Sequence, residues 1–180
     1  MTPDNEKVLI DPLKIAFTDM PMVIFEADCE GIVPFLIREL TGPWNHAMWL
    51  TPNGFASQGL TFEYVPVKNY MKKGFKLRFY KIKDLTNEER LAIYTIIEKR
   101  VNLPWWQKTY DFLGVFGQFI GIRLLNVPWL SYCSEQMASD ITKTITPIKG
   151  KPTLSELEEI IKTIPRFVYV GEWAGGLKWT

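Results

Sequence analysis

The chain has 180 residues, 47% of them hydrophobic and 14% aromatic, enough for one domain with a core of its own and short for two. Lys and Arg number 21 against 20 Asp and Glu, a near-balance that argues against a general attraction to nucleic acid or acidic membranes. Two cysteines and one histidine cannot build a disulfide framework, and they form no Cys-x-x-Cys or His-rich zinc pattern, so neither metal nor cofactor is expected.

The N-terminus, Met1 to Lys7, is polar and lacks the apolar run of a secretory signal. The longest apolar stretch, 112–125, is interrupted by Gln118 and Arg123 and falls short of the roughly 20 residues a bilayer requires. The expectation is a chain with no transmembrane segment, made in the cytoplasm, where thiols stay reduced.

In chain order, residues 1–20 read as an irregular arm broken by Pro3 and Pro12, and 21–180 as one domain. Met22 to Ala27 reads as a strand after Pro21, and Pro34 to Leu40 as a short helix ended by Gly42. Trp44 to Leu50 is the next strand, its alternation placing His46, Met48 and Leu50 on one face and Ala47 and Trp49 on the other. Thr51-Pro52-Asn53-Gly54 has the chemistry of a three-residue hairpin loop with a bulged glycine. That loop pairs Thr51 with Phe55 and brings Gln58 onto the face of His46, about 7–8 Å away on the diagonal. A two- or four-residue loop presents Ser57 there instead.

Glu63 to Met71 reads as a turn and helical segment around Pro66, and Lys76 to Ile82 as a strand with one wet face. Thr86-Asn87-Glu88-Glu89 is a capping box opening a helix to about Val101, with Leu91, Tyr94, Ile97 and Val101 at helical spacing. Tyr110 to Leu125 reads as an apolar helix. A further helix runs from Cys133 to about Lys143, with Ser131 as its N-cap. Thr153-Leu154-Ser155-Glu156 caps one more, Arg166 to Val170 is a last strand, and the tail from Gly171 carries no regular pattern. Lys68, Lys72, Lys73, Lys76, Arg78, Lys81 and Lys83 read as a solvated basic face, and most of the tryptophans as packing residues. Cys29, between Asp28 and Glu30, reads as non-catalytic.

A thiol attacks as its thiolate, and the unpaired N–H groups of a helix N-terminus favour that form. The same groups suit the oxyanion of a tetrahedral intermediate. Cys133 is therefore the candidate nucleophile and His46, the sole imidazole, its candidate base, with the carbonyl oxygen of Gln58 a candidate to orient the ring. Sequence alone does not bring positions 46 and 133 together. A cysteine at a helix start also serves as a small buried hydrophobe.

Four stretches resemble the circularly permuted branch of the NlpC/P60 superfamily, papain-like thiol hydrolases of the YiiX type. These are Met22-Val23-Ile24-Phe25, Leu40-Thr41-Gly42 with Asn45-His46-Ala47-Met48-Trp49, Tyr110-Asp111-Phe112, and Tyr132-Cys133-Ser134-Glu135. The resemblance implies an α+β permuted papain-like fold, an antiparallel sheet or partial barrel packed against helices, with the nucleophile at a helix N-terminus. It implies Cys133 as nucleophile, His46 as base and Gln58 as third residue, where many relatives carry Glu or His. Tyr132, Tyr110 and Trp44 are the candidates to line the cleft; Asp111 and Glu135 read as helix-end residues.

The activity so implied is a cysteine peptidase or amidase acting on bacterial cell-wall peptides, with no nucleic-acid partner, and virion-borne or released by lysis if phage-encoded. The alternatives are a thioester-based acyltransferase or lipid amidase, and a non-catalytic binding or structural module, such as a virion component, that keeps the fold.

Overall fold

A computed structural model describes residues 8–28, 43–58, 61–72, 74–107 and 133–175, with positions 28 and 58 described by their backbone alone. Six strands, β1 (Met22–Asp28), β2 (His46–Thr51), β3 (Gly54–Gln58), β4 (Phe62–Val65), β5 (Phe75–Ile82) and β6 (Phe167–Ala174), form one sheet in the order β4-β3-β2-β1-β5-β6. Every neighbouring pair is antiparallel. Among the described residues three helices accompany it: α1 (Asn87–Val101), α2 (Cys133–Thr144) and α3 (Leu154–Thr163). This is the mixed α+β architecture expected.

The central strands are buried on both faces, which explains their near-continuous apolar runs. Val23, Phe25, Ala47, Trp49 and Tyr80 face the helices, packing with Ile93, Ile97, Met137, Ile141, Leu157 and Ile161. Met22, Ile24, Met48, Leu50, Phe55, Leu77 and Phe79 form the opposite cluster, covered by Ile10 and Ile15 of the arm together with Val67, Tyr70 and Trp173.

Several expectations hold at residue level. Thr86 and Thr153 each cap a helix in a reciprocal box with Glu89 and Glu156. β1 and β5 lie within a residue or so of their expected bounds, and α2 begins at Cys133.

Others are corrected. Phe62 to Val65 is a strand rather than part of a turn and helix, and the helical piece is a single 3-10 turn, Val67–Asn69. α1 turns Ile93 and Ile97 inward and leaves Leu91 exposed. β6 continues through Trp173, where the sequence suggested an irregular tail. There Gly171, at φ +156, lets the arm cross closely: a Cβ would stand 2.5 Å from the Val8 carbonyl oxygen. The arm is pinned at that point by Ile10 N–H to the Glu172 carbonyl and Glu172 N–H to the Val8 carbonyl.

The β2–β3 turn is also corrected. Thr51 pairs with Gly54, Leu50 with Phe55 and Trp49 with Ala56, so the loop is the two residues Pro52 and Asn53. Gly54, at φ +113, stays in the ladder, where a Cβ would lie 2.6 Å from the Val65 carbonyl oxygen. The Thr51 hydroxyl ties the turn, donating to the Gly54 carbonyl and accepting from the Asn53 N–H. The register therefore brings Ser57 into phase with Phe55 and His46, and puts position 58 in phase with Ala56, on the other side of the strand. Gln58 is thus not the neighbour of His46 that the bulged loop predicted. The expected helices at 34–40 and 110–125, with Ser131, lie outside the described residues.

Candidate active site

β2 and β3 part company at one end. Their ladder stops at Trp49↔Ala56, although β2 begins at His46 and β3 runs on to Gln58, pairing there with Phe62 of β4. The N-terminus of α2 meets β2 at this opening. Cys133 and Ala47, one residue from His46, line one small cavity, and the backbone N–H groups of Ala47 and Ser134 favour the charged form of the sulfur. The nucleophile candidate thus comes from the helical face to the level of the strand, while alternation turns His46 toward the face of Met48 and Leu50.

α2 is held at this height from two turns further along. Buried Asp140 accepts from the Trp49 indole at 3.1 Å and takes both guanidinium arms of Arg100, at 2.9 and 2.7 Å. A bidentate charged pair of this kind fixes orientation as well as distance. Arg100 also lies over the Phe62 ring, 4.9 Å from its centroid. One side chain of α2 therefore joins helix, β2 and α1. A small cavity remains, bounded in part by Ala47, Phe62, Cys133, Gln136 and Met137.

The electrostatics of the sulfur differ from the expectation. Cys133 is buried, and burial pushes its thiol up to about 11; the N–H groups of Ala47, Ser134 and Cys133 pull it down, and the charge of Glu26 adds to the rise. The helix end acts in the expected direction, but desolvation outweighs it. Burial therefore favours the protonated thiol over the thiolate.

Glu26 is a feature that the sequence reading passed over. It lies directly opposite His46 in the β1–β2 register and opposite Leu77 in the β1–β5 register, and is 1% exposed. Its carbonyl accepts the Asn45 N–H at 2.7 Å. Tyr70 completes the setting: its hydroxyl is 2.9 Å from that of Ser57. Burial pushes Tyr70 up to about 12; the Ser57 bond opposes this, and the charges of Glu26 and Cys133 add to it. The signal that could have revealed Glu26 is its phase, since it follows Met22 and Ile24 on one face of a buried strand.

Trp44, a candidate cleft residue, is instead enclosed in a second polar cluster. Its indole donates to Glu158 at 2.6 Å, and Arg78 and Lys76 sit over its ring at 4.8 and 5.4 Å. Arg78 and Lys76 also pair with Glu172, and Arg78 with Glu158, so this part of the basic stretch is bound inward rather than solvated. Glu135 makes an ion pair with Lys151 at 3.0 Å. Trp105 and Trp106 are exposed. Tyr132, Tyr110, Asp111 and Cys29 lie outside the described residues. Among the described residues no group of three His, Cys, Asp or Glu side chains is placed to hold a metal ion.

No protein-family model matches the chain, and no curated protein matches it. Among solved structures it is similar to the metalloprotein yiiX from Escherichia coli O157:H7, at 13% identity and a TM-score of 0.48, over 85% of this chain and 97% of that one. No helix among the described residues is long and apolar enough to cross a membrane.

Proposed function

We propose that the chain is a thiol-dependent amide or peptide hydrolase of the permuted NlpC/P60 kind, with Cys133 as nucleophile and His46 as the proton carrier. The observation that supports this reading is the approach of Cys133 to Ala47, the two lining one cavity where α2 meets β2. It ties the first residue of α2 to the strand position next to the only imidazole, across 86 residues of sequence. In this scheme the imidazole takes the thiol proton as sulfur attacks the carbonyl carbon, and the oxyanion faces the N–H groups at the helix start. The C–N bond breaks as the imidazolium returns its proton to the amine, leaving an acyl thioester. Water then attacks, passing a proton to His46; the thioester C–S bond breaks and the thiol reforms.

Since burial favours the protonated thiol, this scheme couples proton removal and attack in one substrate-bound step. Bacterial cell-wall peptides are the substrate class that the family resemblance favours. The test is turnover of muropeptides and acyl amides by the wild type, Cys133→Ala and His46→Ala. Amine release should be abolished by the first substitution and fall by about 10²–10⁴-fold with the second. Equal turnover by wild type and Cys133→Ala would overturn the reading, and acyl transfer to an added amine without net hydrolysis would favour the acyltransferase alternative.

A non-catalytic module has an observation of its own in the burial of Cys133, which is 3% exposed. Iodoacetamide alkylation of the resting thiol should rise steeply between pH 9 and about 11. If no acyl substrate changes that profile or forms a thioester detectable by mass spectrometry, the module reading stands.

A further inference from the structure

Beyond the pair of Cys133 and His46, we infer that Glu26 is the positioning residue of the site, the acidic group that orients the His46 ring and stabilises its imidazolium from the strand before it. This deepens the hydrolase reading and rests on His46 being the proton carrier. In an antiparallel pair, directly opposed residues on one face have Cβ atoms about 4.5–5.5 Å apart, closer than any diagonal neighbour. Glu26 and His46 are opposed in this way.

A carboxylate that is 1% exposed is costly unless charge or hydrogen bonds compensate it. On the β5 side Glu26 faces apolar Leu77, whereas on the β2 side it faces the imidazole. Among the described residues, the charge of Glu26 also acts on the Cys133 thiol from α2 and the Tyr70 phenol, itself influenced by Glu63, and both Cys133 and Tyr70 are pushed toward their neutral forms. Of these groups, only His46 gains by becoming charged beside a carboxylate.

With the two-residue turn, the β3 residue in phase with His46 is Ser57, whose hydroxyl is engaged with Tyr70. A neutral hydroxyl does not supply the charge that an imidazolium forming in a low-dielectric site requires. Glu26 supplies it from the other neighbouring strand, so the acid, the base and the sulfur come from β1, β2 and α2.

Because the chain has a single histidine, the imidazole can be followed without assignment by NMR on carbon-labelled protein. In the resting wild type its titration midpoint should lie above the ordinary value of about 6.5. Glu26→Gln, close to isosteric, should lower that midpoint by about one pH unit or more. Glu26→Asp should restore most of it. With substrate, Glu26→Gln should reduce kcat by at least about tenfold while leaving KM within a factor of about three, and move the acid limb of the kcat profile with the NMR midpoint. A wild-type midpoint at or below about 6.5, or one unchanged in folded Glu26→Gln, would overturn the inference. If the variant does not fold, the wild-type titration decides. The NMR arm needs no turnover, so its failure is separable from that of the hydrolase reading, which Cys133→Ala tests.

Discussion

Glu158 and Glu26 are both buried carboxylates, 4% and 1% exposed, yet they have been given different kinds of neighbour. Glu158, on α3, accepts from the Trp44 indole, from the Tyr80 hydroxyl at 2.8 Å and from Arg78, with Lys162 at 3.6 Å. Burial works to raise its carboxyl, but the bonds and charge of Arg78, with Tyr80 and Trp44, hold it below the usual range. Arg78 also reaches Glu172, which Lys76 joins at 3.2 Å. The result is a permanent charged clamp between α3, β5 and β6, surrounded by donors that do not change state near neutrality. Glu26 stands instead opposite an imidazole, the one side chain whose ordinary titration falls in that range. Burying charge beside fixed cations joins elements together, whereas burying it beside a histidine makes the local charge depend on a proton.

The largest effect should come from breaking the clamp. Arg78→Met leaves two buried carboxylates without their shared cation, and should cost about 3–5 kcal/mol in urea unfolding at pH 7. Glu26→Gln removes charge without removing volume and should cost no more than about 1 kcal/mol in the same assay. If the two losses were equal, the contrast between a structural and a functional carboxylate would fail.

Acid sharpens the same contrast. A carboxyl held low in the folded state contributes stability that is fully present above its unfolded value of about 4.5 and is lost as pH falls through the lower folded value. Urea midpoints should therefore fall below pH 4.5 in the wild type. They should fall less steeply in Arg78→Met, where that contribution is already gone. Tyr80→Phe, which deletes one neutral donor to Glu158, should cost about 1–1.5 kcal/mol at neutral pH.

How far the sequence revealed these two regions follows from the range of the interactions involved. Local chemistry was legible: both capping boxes close within four residues, and the alternation of β2 places Met48 and Leu50 in one cluster and Ala47 and Trp49 in the other. The turn after Thr51 was not, because Pro52, Asn53 and Gly54 suit two loop lengths. The choice is made by β4, whose Val65 carbonyl approaches Gly54 closely enough to exclude a side chain. That one-residue difference carried the prediction from Ser57 to Gln58. The contacts that define the candidate site, Ala47 with Cys133, Trp49 with Asp140 and Glu26 opposite His46, join residues distant in sequence or depend on a strand pairing, and no periodicity announces them. Arg78 and Lys76 were misread for a related reason, since their acidic partners are 80 or more residues away and a charge run by itself looks solvated.

The smallest predicted effect marks the outer edge of the clamp. Lys162 approaches Glu158 at 3.6 Å and Glu159 at 2.7 Å along one turn of α3, but its side chain is 39% exposed. An ion pair reached from solvent has its charge screened and costs side-chain entropy, so Lys162→Ala should lower stability by no more than about 0.5 kcal/mol. Raising the salt to about 1 M should remove most of that difference and leave the Arg78→Met loss largely intact, because buried pairs are screened far less. A Lys162 effect as large as that of Arg78, and insensitive to salt, would show that the clamp draws its strength from the helix surface rather than from the buried guanidinium. In that case burial would no longer distinguish Glu158 from the exposed carboxylates around it.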